Sequence, residues 1–135
     1  MAYTYRISDD DRLAHLTFTG TVNGPDLVHA LTDLYADPAW QAGYNTIWDF
    51  RAISQLLLEE GDFKLLVGLD FEFMHLAGNG CDAIVVARDL DRFMGKLFLY
   101  LARNAPRRTA LFDRMEDARQ WLGLPAVPLA YRAAA

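Results

Sequence analysis

The stretch that decides the fold is residues 107–122, which read RRTALFDRMEDARQWL. A short apolar run ends at Phe112 and leads into Asp113, a residue type that often caps the N-terminus of a helix. Glu116 follows three residues later and completes the pattern of a capping box. Apolar residues then recur at helical spacing: Met115, Ala118, Trp121 and Leu122. The stretch predicts a strand followed by a helix, the unit that closes an α/β domain.

The upstream sequence alternates in the same way between short strand patterns and longer helical ones. Strands are predicted at residues 3–8, 13–20, 44–50, 81–87 and 107–112, and helices at residues 25–36, 62–77, 89–103 and 113–122. The first two strands form a hairpin around the polar turn SDDDR, residues 8–12. We therefore predict a single α/β domain over residues 3–123 with the order β-β-α-β-α-β-α-β-α. Its five-stranded sheet is mostly parallel with an N-terminal antiparallel hairpin, four helices pack on it, and residues 124–135 form a loosely held tail.

Composition excludes several functional classes. The chain has 135 residues, of which 53% are hydrophobic and 23% charged, which suits one domain with a real core. A net charge of −5 argues against nucleic-acid binding and docking on anionic membranes. No apolar run is long enough to cross a membrane, so membrane insertion is not expected. With a single cysteine, Cys81, and no signal-peptide pattern, a cytoplasmic location is expected.

Four stretches together resemble the SpoIIAA-like family of bacterial proteins, within the STAS-like superfamily of anti-sigma factor antagonist-like folds. They are the hairpin end at Thr19-Gly20, the strand end Trp48-Asp49-Phe50-Arg51, the run Ala83-Ile84-Val85-Val86, and the final unit from Leu111 to Leu122. The resemblance spans residues 3–123. It implies a SpoIIAA-like fold and a regulatory role exercised through protein partners.

Anti-sigma factor antagonists switch partners through a phosphorylated serine in an Asp-Ser-Ser-Gly motif after the third strand. The corresponding segment here, residues 50–56, reads FRAISQL and lacks that motif. Ser54 is its only hydroxyl-bearing residue, so the resemblance makes Ser54 a candidate phosphosite. The alternative is an ordinary serine in a solvated turn.

Asp49 and Arg51 are candidates on physical grounds. In open α/β sheets, ligands bind beyond the carboxyl ends of the strands, and Asp49 ends a predicted central strand. Asp49 could anchor a ligand or partner, with Arg51 as its counter-charge. Alternatively, Asp49 accepts backbone N–H groups and ties down a turn.

The predicted helix at residues 62–77 carries apolar residues on two sides, which requires more than one neighbour. If its large side chains are not all buried, they form a ligand or partner surface: Phe63, Phe71, Phe73 and Met74. The next helix has an apolar stripe that is expected to face the core: Leu90, Phe93 or Met94, Leu97 and Leu101. Leu99 and Tyr100 of this helix are also large, and they too form a ligand or partner surface if they are not buried.

No motif predicts a metal, a cofactor or a catalytic centre. Glu72 and His75 have the Glu-x-x-His spacing of di-iron bundles, but a second such pair is missing from the sequence. His15 and His29 have no obvious partners. Cys81 with His75 could be imagined as a nucleophile and base, yet their spacing says nothing about contact.

The sequence therefore favours a non-enzymatic regulatory or protein-binding module, with a homodimer as one way of acting. A carrier of a small apolar or lipid-like molecule beside residues 56–76 is the second hypothesis. An enzyme is the third. A pocket of several hundred Å³ lined by residues 63–76 would favour the carrier. A flat apolar face repeated across a two-fold axis would favour the dimer.

Overall fold

The computed structural model describes residues 2–125 and contains five strands and five helices in that part of the chain. The strands are β1 (Tyr3–Ser8), β2 (Leu13–Asn23), β3 (Asn45–Leu57), β4 (Cys81–Val85) and β5 (Arg108–Phe112). The helices are α1 (Gly24–Ala36), α2 (Glu60–Glu72), α3 (Met74–Ala77), α4 (Asp89–Leu101) and α5 (Met115–Trp121).

One five-stranded sheet organises the domain, and its strands lie side by side in chain order, β1-β2-β3-β4-β5. β1 pairs with β2 in antiparallel fashion, whereas every later pairing is parallel. The predicted α/β fold with a mostly parallel sheet and an N-terminal hairpin is confirmed.

Side chains alternate between the two faces of the sheet and divide the core in two. One face is covered by α1, α2 and α4, and its buried cluster includes Leu16, Phe18 and Phe50. The opposite face carries a smaller cluster around Ile47 and Val85, covered by α5. Because α5 is short and packs against β4 and β5, the β1–β3 part of this second face keeps polar residues.

The predicted ends of β2 and β3 and the predicted second helix are wrong. β3 continues to Leu57, so residues 51–57 belong to a strand rather than to a loop. They are held there because β2 also extends, to Asn23, and the two strands pair up to Asn23 and Leu57. The single helix predicted at residues 62–77 is two helices, which meet at Phe73 and make five helices instead of four.

The cap predicted for the last helix is also wrong, and α4 likewise begins without an aspartate as its N-cap. Arg114 rather than Asp113 is the N-cap residue of α5, and Arg88 rather than Asp89 is that of α4. Asp113 and Asp89 instead accept hydrogen bonds from Arg92, at 2.7 Å and 2.6 Å. Their carboxylates are therefore engaged in a surface ion-pair network that links α4 to the segment before α5.

The described residues include only the first two positions of the predicted tail, Leu124 and Pro125. The Leu124 N–H donates to the carbonyl oxygen of Arg119 at 2.8 Å, and residues 126–135 lie outside the described residues. The loosely held tail thus stays a prediction. Within residues 2–125, no helix combines the length and the apolar character needed to span a membrane.

Candidate functional site

Asp49 lies in β3 on the less covered face of the sheet and is buried. Its carboxylate accepts two hydrogen bonds from the Arg51 guanidinium, from Nε at 2.9 Å and from Nη2 at 2.8 Å. It also accepts the backbone N–H of Arg51 at 3.1 Å. The paired carboxylate and guanidinium form the bidentate geometry that makes such contacts specific.

The backbone explains why Asp49 takes this position. Across from Thr17 and Thr19 of β2, the partners on β3 are Asp49 and Ala52, so β3 carries one extra residue there. This is the arrangement of a β-bulge, which leaves a backbone group without its ladder partner. Asp49 binds the N–H of Arg51 inside this bulge. Asp49 was expected at the end of a strand, where it would tie down a turn. That position is wrong, because β3 continues to Leu57 and Asp49 lies within it.

His15 is the member of this cluster that the sequence did not reveal. Its Nε2 lies 3.3 Å from Oδ2 of Asp49, across the parallel β2–β3 pair. The two residues are 34 positions apart, and only the strand register brings them together. Side chains alternate along β2, so His15 lies on the same face as Thr17, which is the register partner of Asp49. The proximity of His15 to Asp49 can therefore be inferred only after the strand register is known.

The electrostatics of the cluster fix its charge state. Burial alone would raise the pKa of Asp49, but the hydrogen bonds from Arg51 and His15 outweigh burial and hold the pKa well below its usual value. Asp49 thus stays ionised at neutral pH. Within the described residues the His15 side chain hydrogen-bonds to Asp49 alone.

The remaining predicted site residues are dispersed. Ser54 is exposed within β3, not in a turn, and its carbonyl oxygen accepts a hydrogen bond from Arg88. Phe63 is buried and lines a cavity, and Phe73 packs edge-on against Tyr35 at 5.8 Å between ring centroids. Phe71 and Met74 are the exposed members of the set, at 46% and 49%. The four apolar residues therefore do not form one surface.

The residues considered for metal or thiol chemistry do not converge. Glu72 and His75 are exposed, and Cys81 is a half-buried free thiol at the start of β4. No group of three or more potential metal ligands occurs within residues 2–125.

A cavity of about 110 Å³ lies between the sheet and the three helices α1, α2 and α4. Most of its lining is apolar or aromatic, including Trp48, Phe50, Phe63, Leu66, Met94 and Phe98. Three carboxylates also line it, from three different elements: Asp70, Asp82 and Asp91. An apolar chamber with a few polar groups is the usual form of a small-molecule site.

Asp82 is fully engaged at one end of the cavity. It forms an ion pair with Arg107 at 2.7 Å and accepts the Thr46 hydroxyl at 2.5 Å. Arg107 is buried and also donates to the carbonyl oxygens of Ala77 and Tyr44. Arg107 thus belongs to the interior, whereas the exposed Arg103 donates to the Tyr100 carbonyl oxygen at the end of α4.

Asp70 differs from its neighbours. It is half-buried, and its side chain makes no hydrogen bond or ion pair with any described residue. Burial and the nearby Asp82 carboxylate raise the pKa of Asp70 to about 7, against the opposing effect of Arg107. The cavity thus contains one acid group whose charge has no direct partner.

α4 presents the largest departure from the predicted core. Four side chains of the apolar stripe expected to face inward are exposed, and Tyr100, whose exposure the sequence left open, is exposed beside them. The five side chains are between 39% and 61% exposed: Leu90, Phe93, Leu97, Tyr100 and Leu101. The face that lines the cavity instead carries Asp91, Met94, Gly95 and Phe98. We call the five exposed residues the α4 stripe.

Comparison with known proteins shows the fold. The chain is similar to the crystal structure of an uncharacterised protein from the DUF3478 family with a SpoIIAA-like fold from Shewanella loihica PV-4. The two share 15% sequence identity with a TM-score of 0.56, over 90% of this chain and 92% of the other. The predicted SpoIIAA-like fold is therefore confirmed, and at this identity the likeness extends to the fold alone. The chain matches no protein-family model and no curated protein.

Proposed function

We propose that the protein is a non-enzymatic binding module that forms a homodimer through the α4 stripe. The observation that carries the proposal is the exposure of five large apolar side chains on one face of one helix. Single exposed apolar residues are common, but a contiguous apolar face usually marks an interaction surface.

The spacing of the stripe favours another helix as its partner. Leu90, Phe93, Leu97 and Tyr100 follow one another at intervals of three, four and three, as core positions do in a coiled coil. Such a row packs into the gaps of a facing row with the same spacing. A second copy of α4 supplies that row.

The charges at the ends of α4 favour an antiparallel arrangement of the two copies. A two-fold axis near Leu97 brings the N-terminal end of one helix to the C-terminal end of the other. Asp89 is fully exposed at the first end, and Arg103 is exposed just past the second. They then face each other in both halves of the dimer, and the two helix dipoles also oppose favourably.

Leu97→Glu tests this proposal at the centre of the stripe. A charge there is desolvated in the dimer and solvated in the monomer, so we expect sedimentation equilibrium to report a monomer in place of a dimer. The matched control is Leu65→Glu, which adds the same charge at an exposed leucine of α2 and should leave the dimer intact. A wild-type protein that is monomeric at high micromolar concentration would overturn the proposal.

Exchanging the end charges tests the orientation separately. Asp89→Arg and Arg103→Asp should each weaken the dimer, whereas the double variant should restore much of the affinity because each new charge again meets its opposite. A double variant that is weaker than both single variants would exclude the antiparallel arrangement while leaving the stripe as the interface.

A carrier of a small ligand is the second candidate, and the cavity favours it. At about 110 Å³, the cavity is smaller than a pocket of several hundred Å³, but it approaches the ~150 Å³ chamber that binds benzene in an engineered protein, and residues of α1, α2 and α4 line it. Native mass spectrometry of the purified protein tests this role, since a retained molecule would add a discrete mass to the protein peak.

A further inference from the structure

Part of the cavity wall follows β4. Its lining includes Asp82 near the start of that strand, Ile84 in the middle and Val86 just past the end. Four residues of strand span roughly 13 Å. Since the volume of about 110 Å³ is smaller than the ~150 Å³ that holds benzene, the space suits a slender, unbranched molecule.

The charges around the cavity do not balance. The charge of Asp82 is met by Arg107, and that of Asp91 by Arg88, whose Nε lies 3.0 Å from Oδ2 of Asp91. Asp70 has no such partner among the described residues. A carboxylate beside apolar walls, with no direct counter-charge, attracts a cation and repels an anion.

Asp91 gives a second and independent indication. Asp91 is 1% exposed and lines the cavity, and its Oδ2, although ion-paired with Nε of Arg88, accepts no hydrogen bond from residues 2–125. A buried carboxylate oxygen without a donor costs free energy, and a guest that carries N–H groups can relieve that cost. Both observations point to a ligand that donates hydrogen bonds.

We propose that the cavity binds a small linear alkylamine, with its ammonium group at Asp70 and its hydrocarbon chain along β4. This inference rests on the carrier role proposed above and names its ligand class. Aromatic rings in the lining, Tyr35, Trp48, Phe50, Phe63 and Phe98, add favourable contacts with both the chain and the cation. A fatty acid of the same length is disfavoured because its carboxylate would lie among three acidic residues.

Three six-carbon probes test the ligand class: hexylamine, hexan-1-ol and hexanoate. They share the hydrocarbon chain and differ in the charge of the head group. Titrations followed by amide chemical shifts should show hexylamine binding at least tenfold more tightly than the other two, with shifts centred on residues of the cavity wall. The amine should also bind more tightly at pH 8 than at pH 5.5, because ionisation of Asp70 strengthens its attraction for the cation. Asp82, Asp91 and Tyr35 line the same cavity, and Arg107 lies nearby.

Asp70→Asn isolates the role of the carboxylate, since it keeps the shape and removes the charge. We expect hexylamine to bind this variant no better than hexan-1-ol does. Glu72→Gln is the matched control: it removes an exposed charge from the same helix and should leave hexylamine binding unchanged. Circular dichroism would show whether Asp70→Asn folds. If it does not, the three probes and the pH dependence of binding to the wild-type protein still test the ligand class.

The outcomes separate the two proposals. Equal binding of hexylamine and hexan-1-ol, or tighter binding of hexanoate, would overturn the amine class while leaving the carrier role in place. Failure of all three probes to shift cavity residues would overturn both.

Discussion

Arg107 Nη2 lies 2.7 Å from Asp82 Oδ1, and the two side chains are only 6% and 15% exposed. The same guanidinium donates to the carbonyl oxygens of Ala77, Tyr44 and Cys81, at distances from 2.8 to 3.2 Å. One side chain therefore joins the end of α3, the segment before β3 and the first residue of β4. This contact fixes the end of the sheet that borders the cavity.

Removing Arg107 should destabilise the domain severely. Arg107→Met leaves Asp82 buried without its counter-charge and three carbonyl groups without a donor, so we expect a loss of about 3–5 kcal/mol in the free energy of unfolding. Urea titration measures this loss. Arg6→Met is the control, because that side chain is exposed on β1, makes no hydrogen bond or ion pair with a described residue, and should cost less than about 1 kcal/mol. Equal losses for the two variants would contradict the structural role of Arg107.

Asp49 should contribute to stability in a way that depends on pH. Its pKa is lower in the folded protein than the value near 3.9 of an unfolded chain, so its contribution is present above about pH 4 and is lost as the pH falls further. Asp49→Asn should therefore cost about 1–3 kcal/mol at pH 5 and distinctly less at pH 2.5. Urea titrations at both pH values measure the difference. Asp117→Asn, at an exposed position of α5, should show no such change, and a pH-independent cost for Asp49→Asn would argue against the ionised cluster.

The sequence predicted the strands and their order well because strand patterns are local. The bounds of β1 are as predicted, and α1 begins where Asn23 and Asp26 form a capping box. The extension of β3 could not be predicted in this way. Residues 51–57 form a strand because β2 continues beside them, and that pairing is not visible in either segment alone.

The α4 stripe shows what periodicity leaves undetermined. Spacing of three and four identifies an apolar face, but it does not say whether that face meets the core. In this fold the opposite face turns inward. A Cβ at Gly95 would lie 2.8 Å from Cδ1 of Leu111, so the glycine lets α4 approach β5 closely while the more apolar face stays outside.

The candidate site was predicted only in part. Asp49 and Arg51 are two residues apart, and their contact follows from a local bulge. His15, Asp70 and Arg107 belong to clusters assembled from distant segments, and no spacing in the sequence brings them together. Such clusters depend on strand register and helix packing, which arise only when the whole domain is formed.

Gly78 should tolerate no side chain. It has φ of +73°, and a Cβ there would lie 2.3 Å from the backbone nitrogen of Gly43. Gly78→Ala should therefore cost about 3 kcal/mol or more, from left-handed strain plus a clash with backbone that cannot move aside. Gly123→Ala is the matched control, with φ of +76° and nothing within 4 Å of the added Cβ, so strain alone should cost about 1 kcal/mol. Thermal unfolding compares the two variants, and similar melting temperatures would show that the contact with Gly43 does not affect stability.

Asp70 should make the folded protein less stable as the pH rises. Burial and Asp82 raise its pKa to about 7 in the folded protein, whereas the unfolded chain releases the proton near pH 4. Between these values the folded state binds more protons, so the free energy of unfolding falls as the pH increases and then levels off. Asp70→Asn removes this dependence and should be more stable than the wild type at pH 8, by an amount on the order of 2 kcal/mol, with the advantage gone at pH 4. Urea titrations at the two pH values measure the change, with Glu72→Gln as the exposed control on the same helix. If Asp70→Asn is more stable than the wild type by the same amount at both pH values, the difference arises from packing and not from the charge of Asp70.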